Sequence, residues 1–89
     1  MAHHNHFVIR NDSPTALTLN IEPEGAFFLL QKGEEVCVFD EFKTTPVSLN
    51  WTTSDQGAPI VSLWPGDGEI RVEKDGTDVF DLLQQRMNV

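Results

Sequence analysis

Leu17-Thr18-Leu19-Asn20-Ile21-Glu22 places its apolar side chains at alternate positions, with a polar one after each. Successive side chains of an extended chain point to opposite sides, so this stretch reads as a strand with one dry and one wet face. The alternation returns at Val47-Ser48-Leu49-Asn50-Trp51-Thr52 and at Glu69-Ile70-Arg71-Val72-Glu73. One-sided strands of this kind belong to antiparallel sheets that bury a single face.

Working outward, less regular apolar segments surround these three. His6 to Arg10 carries Phe7 and Ile9 on one side and Val8 on the other. Phe27 to Leu30 and Glu35 to Phe39 are nearly continuous apolar runs, so both of their faces are expected to be covered. Ile60 to Trp64 is similar, interrupted by Ser62. Between the segments stand turn residues: Asn11-Asp12-Ser13-Pro14-Thr15, Pro23-Glu24-Gly25, Gln31-Lys32-Gly33-Glu34, Ser54-Asp55-Gln56-Gly57 and Pro65-Gly66-Asp67-Gly68. Asp75-Gly76 is a two-residue type I′ signal, because both of its positions need positive φ. Turns recurring every ~8–12 residues, with no long helical stretch, give the rhythm of a sandwich or barrel. The expected fold is all-β: an antiparallel sandwich or partly open barrel of about seven strands. Residues 40–46 read as the longest loop.

The end of the chain changes character. Phe80, Leu83 and Met87 recur at helical spacing, Asp78 can cap the segment, and Arg86 suits a helix C-terminus. A helix this short does not stand alone. A last strand over 77–80 followed by one or two helical turns is expected. The chain therefore divides into a flexible histidine-containing tail (1–5), a β domain (6–80) and a short C-terminal helix or tail (81–89).

The 89 residues suffice for one small domain. Hydrophobic residues make up 39% and charged residues 22%, a globular composition that argues against a disordered chain. Six Lys and Arg against 14 Asp and Glu leave a net charge of −8, which disfavours nucleic-acid backbones and anionic membranes as partners. No apolar run approaches the ~20 residues of a membrane span. Cys37 is the only cysteine, so no disulfide forms within the chain. Met1 to His6 carries no apolar leader, and both facts point to a cytoplasmic protein. Cys37, between Val36 and Val38, reads as a buried small hydrophobe.

Asn11-Asp12-Ser13, Leu17 to Gly25 and Leu30-Gln31-Lys32-Gly33-Glu34 together resemble a group of small bacterial β proteins of no assigned function. In those, an E-P-x-G turn is followed by an L-x-x-G-E turn. Similar turns occur in cupredoxin-like and immunoglobulin-like sandwiches. The likeness covers about a quarter of the chain and consists of turn chemistry, so it implies a sandwich and carries no activity. The blue-copper pattern of one Cys with two core histidines is absent, since all three histidines lie within the first six residues.

Those histidines are the sharpest chemical feature. With Met1 in place His3 is third from the amine, and with Met1 removed His4 is third. An amine, two deprotonated backbone amides and an imidazole make the tetragonal nitrogen set preferred by Cu(II) and Ni(II). His3, His4 and His6 are therefore the candidate metal ligands. No resident cofactor is expected beyond Cu(II) or Ni(II) taken up at this terminus.

No catalytic residues are assigned. Ser-His-Asp chemistry needs a fixed histidine, and His6 alone opens a strand. The carboxylates fall in turns and on wet faces, and neither Asp67-Gly68-Glu69 nor Asp75-Gly76-Thr77-Asp78 has the spacing of a calcium loop. Trp51 lies on the apolar side of its strand and is expected in the core. Trp64, before a Pro-Gly turn, either caps the core or forms an exposed platform. Phe39 and Phe42 flank Asp40-Glu41, and either close the end of the sandwich or, with Trp64, form a contact patch.

The reading that follows is a small acidic protein-interaction module, not an enzyme. It would bind through an exposed strand edge or a loop patch, to a basic protein or to itself. The alternatives are a structural β domain with a Cu(II)- or Ni(II)-binding tail, and an enzyme whose site the sequence does not mark. Nucleic-acid mimicry is disfavoured, because the acids are spread along the chain.

Overall fold

The computed structural model describes residues 2–87, with side chains as far as Gln84. Its elements are β1 (His3–Arg10), β2 (Leu17–Ile21), β3 (Ala26–Leu30), β4 (Glu35–Phe42), β5 (Ser48–Thr53), β6 (Pro59–Trp64), β7 (Glu69–Lys74), β8 (Thr77–Asp78) and α1 (Val79–Met87). They form two four-stranded sheets, ordered β1-β4-β7-β8 and β3-β2-β6-β5. The fold is the expected all-β sandwich with a short C-terminal helix. The eighth strand is the two-residue β8, which continues past the Asp75-Gly76 turn. Both turn residues take positive φ, as a type I′ hairpin requires. One pairing, β2 with β6, is parallel, and the remainder are antiparallel.

Alternation places the core. Leu17, Leu19 and Ile21 of β2 meet Phe28 and Leu30 of β3 and Val61 and Leu63 of β6 in one layer. Ile9, Val36, Val38 and Val72 supply the facing layer. Val79 at the start of α1 is fully buried, and Leu82 and Leu83 pack on the core. The buried stripe of the helix is thus Val79, Leu82 and Leu83. Phe80, expected on that stripe, is exposed, and the side chains of Met87 and Arg86 lie outside the described residues. Asp78 caps the helix as expected, its Oδ1 accepting the Phe80 N–H at 2.9 Å.

Two polar staples hold the ends of the sandwich. Asn11 is 1% exposed. Its Nδ2 donates to the carbonyls of Leu30 (2.8 Å) and Thr15 (2.9 Å), while its Oδ1 accepts the Ser13 N–H (2.9 Å). Its backbone exchanges bonds with Glu34 and Gly33, so the turn after β1 and the turn after β3 form one unit. Asn11-Asp12-Ser13 and Gln31-Lys32-Gly33-Glu34, far apart in the sequence, thus bond each other.

Asp67, between β6 and β7, is the second staple. Its carboxylate accepts three successive backbone N–H groups, from Lys43 (2.9 Å), Thr44 (2.8 Å) and Thr45 (3.1 Å). Gly66 and Gly68 flank it because backbone passes where a Cβ would stand. A Cβ on Gly66 would collide with the Thr45 carbonyl, and one on Gly68 with that of Glu41.

The bond from the Lys43 amide, reinforced by those from Thr44 and Thr45, holds the Asp67 carboxyl below its ordinary pKa against some desolvation. A depressed folded-state pKa means stability that is present above the ordinary carboxylate value and lost as pH falls through the folded one. Thermal unfolding should therefore find Asp67→Asn less stable than wild type at neutral pH. The gap should close on acidification below about pH 4. A gap independent of pH would contradict the staple.

Where strands were expected to be covered on both faces, the structure differs. Phe27 and Leu29 of β3 are exposed, because they point to the open outer face of the sandwich while Ala26, Phe28 and Leu30 turn inward. Cys37, expected to be buried, is half-buried on the outer side of β4, because Val36 and Val38 take the inward positions. Residues 3–5, expected to be a flexible tail, pair with β4 from His3 opposite Phe42 onward. β4 runs to Phe42, which shortens the expected 40–46 loop to the residues between Phe42 and Ser48.

Candidate functional site: an open strand edge

The two outer faces differ in chemistry. The first sheet presents Arg10, Glu35, Glu41, Glu69, Arg71 and Glu73, joined by ion pairs such as Arg71–Glu73 (2.6 Å) and Arg10–Glu35 (3.6 Å). On the second sheet, Thr18, Asn20, Ser48, Asn50, Thr52 and Ser62 occupy outward positions, beside the apolar Phe27, Leu29, Ile60 and Trp64. None of these outward residues is charged.

The candidate residues of the sequence fall on separate surfaces. His4 and His6 lie on the outer face of the first sheet, and His3 has the opposite orientation at the end of β1. His4 Nδ1 stands 3.8 Å from Glu41 Oε2, and His6 stacks on Phe39 with ring centroids 6.2 Å apart. A shallow groove of about 370 Å³ crosses this face, lined among others by His4, His6, Phe39, Glu41 and Glu69. Among the described residues no three His, Cys, Asp or Glu side chains converge as a metal centre. The Met1 amine that the tail reading needs lies outside the described residues.

Phe39 is held from two sides, by His6 and by the Arg71 guanidinium 4.5 Å from its ring centroid, which leaves it half-buried. Phe42 packs against His3 at 5.4 Å at the end of β4. Trp64 stands in the other sheet, exposed on its outer face beside Ser48. The expected patch of Phe39, Phe42 and Trp64 is therefore dispersed over different surfaces.

The sequence reading found β5 as a strand but not as an exposed one. All six of its residues are exposed, and Trp51, expected in the core, is 60% exposed. Trp51 and Leu49 do point inward, opposite the buried Val61 and Leu63 of β6. They remain uncovered for a topological reason. The Gln31-to-Glu34 turn carries β3 into β4, the Asn11 bonds tie β1 to β3, and the turn after Trp64 carries β6 into β7. β5 ends one sheet and β8 ends the other. β8 has only two residues, and Leu49 and Trp51 on the inner side of β5 stand uncovered.

β5 is also the terminal strand of its sheet, and it carries neither a charge nor a proline. Edge strands are normally blunted by charged side chains, proline or bulges. The sequence carries no sign of this exposure, since β2 has the same placing of Thr and Asn between apolar residues and is buried.

Among the described residues no helix is long and apolar enough to cross a membrane. No protein-family model, no curated protein and no solved structure matches this chain.

Proposed function

We propose that the chain is a small protein-interaction module that receives an extended segment of a partner along the edge of β5. One observation carries this reading: an uncharged terminal strand that exposes Leu49 (39%) and Trp51 (60%) beside unprotected backbone. In strand addition, main-chain hydrogen bonds supply affinity and alternate side-chain positions supply selectivity. Tryptophan is the residue type most enriched among energetic anchors of protein interfaces. The donor strand comes from a basic protein, drawn by the charge of −8, or from a second copy. The module works in the cytoplasm, where a lone thiol such as Cys37 stays reduced.

Affinity capture from the native host tests the reading, with wild type and Trp51→Lys as matched baits. A specific polypeptide retained by wild type should be lost with Trp51→Lys, and lost again with Leu49→Lys. Both positions are exposed, so lysine there leaves the core intact. Retention that is indifferent to both substitutions would exclude β5 as the docking edge.

A further inference from the structure

We infer that the segment accepted by β5 is the β5 of a second copy, forming a two-fold dimer in which the second sheet runs continuously through both molecules. This rests on the reading of β5 as a docking edge, and it names the occupant.

The argument begins with register. Residues directly opposite each other in an antiparallel pair point to the same side, so a one-residue slip would turn one copy inside out. Centring the two-fold axis on Asn50 avoids the slip. It sets Asn50 against Asn50 of the second copy, Ser48 against Thr52, and Leu49 against Trp51 in both directions. Within each molecule Leu49 already lies opposite Leu63, and Trp51 opposite Val61. The dimer therefore aligns Leu63, Leu49, the second copy's Trp51 and its Val61 in one row across four strands. The symmetry generates the matching row in reverse. Apolar rows that stop at the open edge of the monomer become continuous, and each exposed tryptophan gains a leucine neighbour. Such a surface is self-complementary, as an isologous contact demands.

Charge does not oppose this occupant at the contact itself. Two chains of −8 repel at a distance, but β5 contributes no charge to the contact, so no like-charged pair is forced together. A single added strand makes a small interface, which places this dimer among weak ones that fill at high protein concentration. It should also strengthen as salt rises, because screening removes the repulsion between the two acidic bodies. Docking of a basic partner would weaken under the same change.

Light scattering on the whole chain is the first test. The mass should rise from 10.0 kDa toward twice that value as concentration increases. The rise should come at lower concentration in higher salt, and Trp51→Lys should abolish it. A second measurement fixes the register. In a Cys37→Ser background, Asn50→Cys should oxidise to a covalent dimer, because the two positions face each other across the axis. Thr52→Cys, on the same face of the same strand, should not, because its counterpart lies four residues further along. A mass that stays monomeric up to about 1 mM in high salt would overturn the dimer. So would a rise that salt suppresses, or equal cross-linking at both positions. If the mass stays monomeric while host capture remains sensitive to Trp51→Lys, the docking edge stands and only the second copy is excluded.

Discussion

Replacing Asn11 with alanine should lower the unfolding free energy by about 3 kcal/mol, most of what a domain this small can lose and stay folded. The side chain is buried and makes three hydrogen bonds. Two of them satisfy the carbonyls of Leu30 and Thr15, and the third satisfies the amide of Ser13. Alanine leaves the Leu30 carbonyl and the Ser13 amide without these partners, while the Thr15 carbonyl keeps the Ser13 hydroxyl, and each orphan costs roughly 1–3 kcal/mol. Aspartate should be no better at neutral pH. It keeps the acceptor for Ser13 but aims a carboxylate at two carbonyl oxygens that need donors. Chemical denaturation should show a lower midpoint with an unchanged slope, the sign of lost stability without a change in unfolded-state compactness. A loss under about 0.5 kcal/mol, the range of an ordinary surface substitution, would show that the two turns hold together without Asn11.

The second large effect belongs to Gly68. An alanine Cβ would strike the Glu41 carbonyl and stand 2.8 Å from the Cα of Phe42. Both obstacles are backbone of the central strand β4, so relief requires β7 to separate from β4 at their first paired position, Glu69 with Glu41. Overpacking inside a well-packed core costs about 1–3 kcal/mol, and obstacles that cannot rotate away put Gly68→Ala at or above the upper end of that range. Gly66→Ala, against the carbonyls of Thr45 and Pro46, meets a loop instead of a paired strand, and it should cost less. Thermal unfolding of the two variants side by side measures the difference. An equal loss would mean that the constraint is the turn itself and not the approach of β7 to β4.

How far the sequence could be read depended on where each strand ended up. Leu17, Leu19 and Ile21 are buried and their neighbours half-exposed, because β2 lies inside its sheet under a complete facing layer. Ile70 and Val72 followed their pattern for the same reason. Val47-Ser48-Leu49-Asn50-Trp51-Thr52 has an equally regular pattern and an opposite outcome. Alternation fixes the side toward which a residue points, but not whether anything stands there to cover it. That depends on strand order and on the length of the opposing strand, and strand order is set by contacts far apart in the chain. β3 illustrates the same limit: a strand of a two-layer sandwich buries only one face, so its apolar run left Phe27 and Leu29 in solvent.

The turns were more legible than the site. Asp75-Gly76 needs positive φ, which few residue types tolerate, and composition alone announces it. Asn11, by contrast, reads as an ordinary turn residue until β3 is placed beside the end of β1. The aromatic residues dispersed for a related reason. Phe39 and Trp64 both point outward, but from different sheets.

The measurement closest to the central claim is the fluorescence of Trp51 as the only tryptophan, in a Trp64→Phe background and at low protein concentration. An open β5 edge predicts emission at the water-exposed end of the tryptophan range and ready quenching by acrylamide. Blue-shifted emission protected from quenching in the dilute monomer would mean that β5 is covered within its own chain, and the docking edge would not exist.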